Sequence, residues 1–302
     1  MRIVIALGGN ALLPRGQRPD WQPQVDQVAR VAGSLAELAA AHEVVLVHGN
    51  GPQVGLLALE SAADRSLTHP YPLDELVAET QGLIGYWLQQ ALGRHLRTPV
   101  ITIVTQTVVD AADPAFADPT KFVGSVYDEL EAKELARVHD WTFKRDGDSW
   151  RRVVASPAPR RIVEVGTADH LLRSGITVVL AGGGGIPVVE ARDGLEGVEA
   201  VVDKDLAAAL AAKELGADLF LVLTDVPAVM TDFGTPDQRA LGEVSVSDLE
   251  SHDFPAGSMG PKVEAVCEFV RRTGSRAAIG SLDDVLAVMD GAAGTQVTSS
   301  GS

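Results

Sequence analysis

Apolar residues come in short unbroken runs along this chain, and each run stops at small residues. RIVIAL ends at Gly8, Gly9 and Asn10; VVLVH ends at Gly49, Asn50 and Gly51; TVVLA ends at Gly182, Gly183 and Gly184; LFLVL ends at Thr224 and Asp225. Runs of this kind predict buried strands whose ends let a ligand approach the backbone. Between them, PQVDQVARVAGSLAELAAA and LDELVAETQGLIGYWLQQAL carry apolar residues at three-and-four spacing. That spacing predicts two helices, the second over residues 76–92 with Asp74 as its cap. The alternation predicts an α/β fold, a three-layer α/β/α sandwich around a mainly parallel sheet. Ligands in such sheets collect at the carboxyl ends of the strands, where all of these turns lie.

One stretch breaks the rhythm. From about 111 to 161 the chain is rich in Asp, Pro, Lys, Arg and Trp and shows only a short helical pattern near 128–138. It predicts a small subdomain projecting from the sheet, a lid in functional terms. The last residues, 299–302, have the small polar composition of a flexible tail.

With 302 residues, the length prior of ~150 per domain favours two lobes. No apolar run reaches the ~18 residues of a membrane helix, and the first segment lacks the pattern of an export signal. The expected location is the cytoplasm. Cys267 is the one cysteine, so an internal disulfide is excluded, and the seven histidines are scattered. A formal charge of -16 opposes nucleic acid and anionic membranes as partners. An anionic ligand must therefore find positive charge locally.

Arginines outnumber lysines 19 to 6. Three of the six lysines stand in unusual surroundings: Lys121 in DPTKFVG, Lys204 in VVDKDLA and Lys262 in GSMGPKVE. In a chain that prefers arginine, such lysines suggest a need for compact point charges. The phosphate loop GxxxxGK[ST] is absent, GGGGIP departs from the dinucleotide fingerprint at Pro187, and no GxSxG, HExxH or protein-kinase set occurs. Backbone N–H groups from glycine turns plus a few lysines suit phosphoryl transfer, in which positioning and charge stabilisation supply most of the acceleration. Mg²⁺ would be held mainly by the nucleotide phosphates.

In order along the chain, IALGGNALL, HGNGPQVG, TQGLIGYWL, DPTKFVG, GGGGIPVV, VEAVVDKDLA, LTDV and GSMGPKVEA resemble the carbamate kinases of the amino acid kinase family, from Ile5 to about Thr295. The resemblance implies a reversible transfer between MgATP and carbamate giving ADP and carbamoyl phosphate, running toward ATP synthesis in arginine or other carbamoyl-phosphate catabolism. It implies a homodimer, a carbamate-binding lobe at about 1–195 and a nucleotide-binding lobe at about 196–298. Relatives acting on acylated amino acids present a lysine on the first strand, where this chain has Ala6 and Leu7. Carbamate kinases supply one from the protruding subdomain, which corresponds to Lys121.

By the same resemblance, Gly8, Gly9, Asn10, Gly49, Asn50 and Gly51 would cradle the carbamate and the transferred group with backbone N–H. Lys121, Lys204 and Lys262 would neutralise charge, and Asp205 would hold lysines in place. Gly182, Gly183, Gly184, Thr224, Asp225 and Val226, with Lys262, would serve the nucleotide, and Phe233 with Gly234 resembles the family's aromatic-glycine step. Pro227 and Ala228 depart from the family pattern beside the adenosine turn. Asp203 reads first as a helix N-terminal residue. Met230, Met259, Tyr86 and Trp87 read as packing groups, and Gln81 with Gly82 as a point of close helix–sheet approach. Two rival readings are a kinase of the same fold acting on another small anion and a nucleotide sensor without turnover.

Overall fold

The computed structural model describes residues 1–8, 12–13, 18–255 and 258–299. The proposed roles of Gly9 and Asn10, and most of the tail, lie outside the described residues. The chain opens with β1 (Arg2–Leu7), α1 (Trp21–Ala41), β2 (Glu43–His48), α2 (Gln53–Ala63), α3 (Leu73–Leu92), β3 (Val100–Thr102) and β4 (Gln106–Val109). The inserted region then builds β5 (Lys121–Tyr127), α4 (Glu129–His139), β6 (Thr142–Asp146) and β7 (Ser149–Val154), followed by β8 (Pro159–Ile162), α5 (Val165–Arg173) and β9 (Thr177–Val179). Next come β10 (Ile186–Ala191), β11 (Gly194–Gly197), α6 (Lys204–Glu214), β12 (Leu219–Thr224), β13 (Met230–Thr231) and β14 (Arg239–Ala240). The chain closes with β15 (Glu243–Ser245), α7 (Val246–Glu250), α8 (Gly260–Thr273), β16 (Arg276–Ser281), α9 (Val285–Met289) and β17 (Thr295–Thr298).

Among the described residues, eight strands form the main sheet in the order β15-β17-β16-β12-β1-β2-β9-β3. Neighbours pair in parallel except β16 with β17. Strand alternation makes the layers. Val4 and Ala6 of β1 join Val45, Val47, Phe220 and Val222 in one core, beneath α5, α6 and α8. Ile3, Ile5 and Leu7 join Val44, Leu46, Leu219 and Leu221 in the other, beneath α1, α3 and α9. A slip of one residue in β1 would exchange the two sets, so the register is tightly specified. Burial of each such Ile or Leu stabilises the fold by about 1.5–3 kcal/mol.

Helix α3 begins at Leu73, earlier than the apolar spacing suggests, with Pro72 at the N-cap and Asp74 inside the first turn. Asp74 is therefore not the cap, because Pro72 already sets the extended entry. Close approach of this helix to the sheet occurs at Gly85, where an added Cβ would lie 2.3 Å from Thr102 Cγ2, and not at Gly82, which faces open space. Trp87 is buried, whereas Tyr86 is 56% exposed and does not pack inside.

The inserted region is a three-stranded antiparallel sheet in the order β5-β7-β6. Its helix α4 is held by Asp128 in a capping box with Glu131. The subdomain meets the body where Gly55 of α2 touches Gly124 of β5, so closely that a Cβ on Gly55 would sit 2.3 Å from Gly124 Cα. Only two glycines allow that crossing.

Candidate active site

Parallel pairing of β12, β1, β2 and β9 brings their carboxyl ends to one edge of the sheet. A cleft of about 420 Å³ opens there, lined by Gly49, Asn50 and Gly51 from the body, Lys121 and Arg151 from the subdomain, and Asp203, Lys204, Asp205 and Lys262 from two helix starts. Helices α2, α6 and α8 all begin at this cleft. Their N-terminal ends carry partial positive charge and favour an anion. Four of the 25 lysines and arginines of this acidic chain, Lys121, Arg151, Lys204 and Lys262, line it.

The lysines are tied to two aspartates. Lys204 Nζ donates to Asp205 Oδ1 at 2.5 Å, and Lys262 Nζ donates to Asp205 Oδ2 at 3.0 Å. One carboxylate, 4% exposed, thus spaces two ammonium groups. Lys121 Nζ donates to Asp203 Oδ2 at 2.6 Å. Asp203 does what its position at a helix start suggests, since its Oδ1 accepts from the N–H of Asp205 and Leu206. Its second oxygen is free for Lys121, a role that sequence position alone did not reveal.

Burial works against the charge on Asp203, but Lys121 and Lys204, with the hydrogen bonds it accepts, hold its carboxyl down to about 2. Burial also lowers Lys204, aided by the charge of Lys262 and opposed by Asp205. His48, at the end of β2, is fully buried and is lowered to about 4 by burial, with Lys204 adding to the effect and the Gly49 carbonyl opposing it. Its Nδ1 lies 2.9 Å from the Gly49 carbonyl, to which the neutral ring donates.

The glycine turn after β9 lies against this floor. Gly183 has φ +67, and a Cβ there would fall 1.5 Å from Asn50 Oδ1. Gly182, Gly183 and Gly184 are all buried, and only Gly183 reaches the cleft. Gln81, read from the sequence as a spacer, is instead a clamp. Its amide donates to the carbonyls of Thr105 and Gly182 at 3.0 Å each and accepts from Thr105 N–H at 2.7 Å. A glutamine buried in a helical stripe of apolar residues was the available signal.

Two expected backbone donors are already committed. Gly8 N–H donates to Leu223 O at 2.8 Å and Gly49 N–H to Leu7 O at 3.3 Å, because both glycines continue the parallel ladder by one step. Among the described residues no partner takes the N–H of Asn50 or Gly51. Thr224 ends β12 and Asp225 and Val226 follow it, outside the lysine cleft, with Gly8 packed near Thr224. Pro227 is exposed, Ala228 is buried and Phe233 is 66% exposed. Arg151, which the sequence reading omitted, enters the cleft and donates from Nε to Gly124 O at 2.9 Å.

A family model described as the amino acid kinase family matches residues 1–281. The chain belongs to the amino acid kinase family. Within that family, a carbamate kinase of Rhizobium meliloti (strain 1021) is 52% identical over 305 residues, 99% of this chain and 94% of the relative. A carbamate kinase of Haemophilus influenzae is 48% identical over 301 residues, with 99% and 97% covered. Among solved structures, carbamate kinase from Giardia lamblia bound to AMP-PNP aligns with a TM-score of 0.90 at 39% identity, covering 98% of each chain. The amino acid kinase sheet, with its inserted three-stranded subdomain, is the scaffold that carries the lysine cleft.

Proposed function

We propose that this amino acid kinase is a carbamate kinase, exchanging a phosphoryl group between MgATP and carbamate to give MgADP and carbamoyl phosphate. The observation that carries the reading is the convergence of Lys121, Lys204 and Lys262 on one cleft, with Lys121 delivered by the subdomain where the first strand has Ala6 and Leu7. A carbamate oxygen attacks the γ-phosphorus, the bond to the bridging oxygen of ADP breaks, and that oxygen keeps the electron pair. Carbamate is already an anion, so no side chain needs to remove a proton. The lysines offset the charge that moves from the nucleophile to the leaving oxygen, and Asp205 holds two of them apart. The N–H groups of Asn50 and Gly51, two residues that line the cleft, would be left to bond the same anion. Closure by the subdomain excludes water and strengthens each of these interactions.

The donor set does not suit a metal held by the protein. Both cleft aspartates are engaged by lysines, and no group of three His, Cys, Asp or Glu among the described residues could hold an ion. It does suit Mg²⁺ that arrives on the nucleotide phosphates, where the ion neutralises charge. The nucleotide is assigned to the turn of Thr224, Asp225 and Val226 with Lys262, in a lobe at about 196–298, and to Gly182, Gly183 and Gly184, which reach it from the other lobe. The carbamate lobe spans about 1–195.

No helix among the described residues is long and apolar enough to cross a membrane. The enzyme is assigned to the cytoplasm as a homodimer, a state favoured by Leu83 and Tyr86, exposed together on the outer face of α3. Light scattering that finds a persistent monomer would exclude the dimer. The reaction is tested by ATP formation from MgADP and carbamoyl phosphate, with Lys121→Ala in parallel. Fast synthesis that collapses in the variant is expected. Equal rates would remove Lys121, and no ATP from either protein would refute the reading.

A further inference from the structure

Lys121 is carried by a subdomain, so its reach depends on how that small sheet is held. Beside the subdomain, away from the lysine cleft, lies a second crevice lined by Tyr71, Trp141, Arg152 and Glu199. Arg152 sits on β7, its side chain only 9% exposed, with the guanidinium 4.0 Å from the centre of the Trp141 ring. The His139 ring stacks on that tryptophan at 4.7 Å. Stacking orients a planar guanidinium and leaves its edge to bond.

That edge meets the body at a single carboxylate. Arg152 Nη2 donates to Glu199 Oε1 at 2.8 Å, and Glu199 Oε2 accepts from the Leu73 N–H, also at 2.8 Å. Leu73 opens α3, where the helix end favours an anion. Glu199 therefore ties three parts together: the subdomain, the start of α3 and the segment that continues to Asp203, Lys204 and Asp205. The same segment is pinned again beside it, where Val201 N–H donates to Ala155 O at 2.9 Å. An ordinary surface ion pair contributes little. This one has a buried, stacked arginine on one side and a helix N–H on the other, so both oxygens of the half-exposed Glu199 carboxylate are engaged.

The link to chemistry runs along the β5–β7 ladder. Arg152 stands opposite Val123, and Lys121 stands opposite Val154, two residues along the same pair of strands. We propose that Glu199 is a positioning residue which, through Arg152, sets the height of the subdomain over the cleft and so the placement of Lys121. The proposal rests on the carbamate kinase reading for what Lys121 does, and on geometry alone for the latch. A displacement of about 1 Å in a reacting group costs on the order of 100-fold in rate.

The test compares Glu199→Gln with the wild type. The amide still offers an oxygen to Leu73 N–H but loses the charge that faces Arg152. In ATP synthesis from MgADP and carbamoyl phosphate, kcat is expected to fall by roughly 10-fold while KM for MgADP stays within about 2-fold. Hydrogen exchange of the 121–127 amides is expected to quicken. Arg152→Lys, which keeps the charge and loses the stacked plane, should shift both readouts the same way and serves if Glu199→Gln folds poorly. In a Lys121→Ala background the loss from Glu199→Gln should disappear, whereas a general structural defect would persist there and overturn the proposal. Unchanged kcat with unchanged exchange would also overturn it. If the wild type makes no ATP, the kinase reading fails, and the exchange comparison alone decides the latch.

Discussion

Replacing Asp203 with asparagine separates the two duties of this side chain. The amide oxygen still accepts from the N–H of Asp205 and Leu206, so the start of α6 keeps its cap, while the charge facing Lys121 and Lys204 is lost. In the fold the carboxyl is held at about 2, against 3.8 for the ordinary group. That difference corresponds to roughly 2 kcal/mol at neutral pH. Lys121 is 41% exposed, so water screens part of the attraction, and a loss of about 1–2 kcal/mol is expected. Because the folded group is the stronger acid, its contribution is complete above the unfolded value and disappears as pH falls through the folded one. The gap between wild type and Asp203→Asn should be flat from pH 7 to 5 and about half closed by pH 3. Urea unfolding followed by tryptophan fluorescence at those three values measures it. Asp203→Ala, which also loses the cap, should cost about 1 kcal/mol more. A gap as wide at pH 3 as at pH 7 would refute the ion-pair account, and equal losses in the two variants would refute the capping account.

Lys204→Ala and Lys262→Ala should each lower ATP synthesis by on the order of 100-fold, and near-normal turnover at saturating MgADP would remove that lysine from the mechanism. His48 should stay neutral down to about pH 4, as read by NMR titration of its ring. The unfolded histidine binds a proton that the folded one refuses, so stability should fall by up to roughly 3 kcal/mol as pH drops from ~6.5 toward 4. In His48→Gln that slope should flatten; an unchanged slope would place its origin elsewhere. Cys267 is fully buried, and burial, with the charge of Glu250, pushes its thiol up to about 11. A thiol reagent should label it only after unfolding, and rapid labelling of the native protein would contradict that burial.

The sequence by itself determined the layers. Alternating residues in RIVIAL, VVLVH and LFLVL feed opposite cores, and the helical stripes cover them, because local periodicity and burial are the same physical fact seen at two scales. It also singled out Lys121, Lys204 and Lys262 by their unusual surroundings, whereas Asp205 was named only through the family resemblance. Local spacing could not show that Gly8 and Gly49 give their N–H groups to the ladder, that the tight glycine of α3 is Gly85, or that Gln81 clamps the Gly182 turn. Nor could it show Asp203 meeting Lys121 across 82 residues, or Arg152 meeting Glu199 across 47. Each of these depends on which segments the sheet order brings together. Hydrogen bonds and ion pairs act over a few ångströms, so their partners are chosen only once the chain has folded.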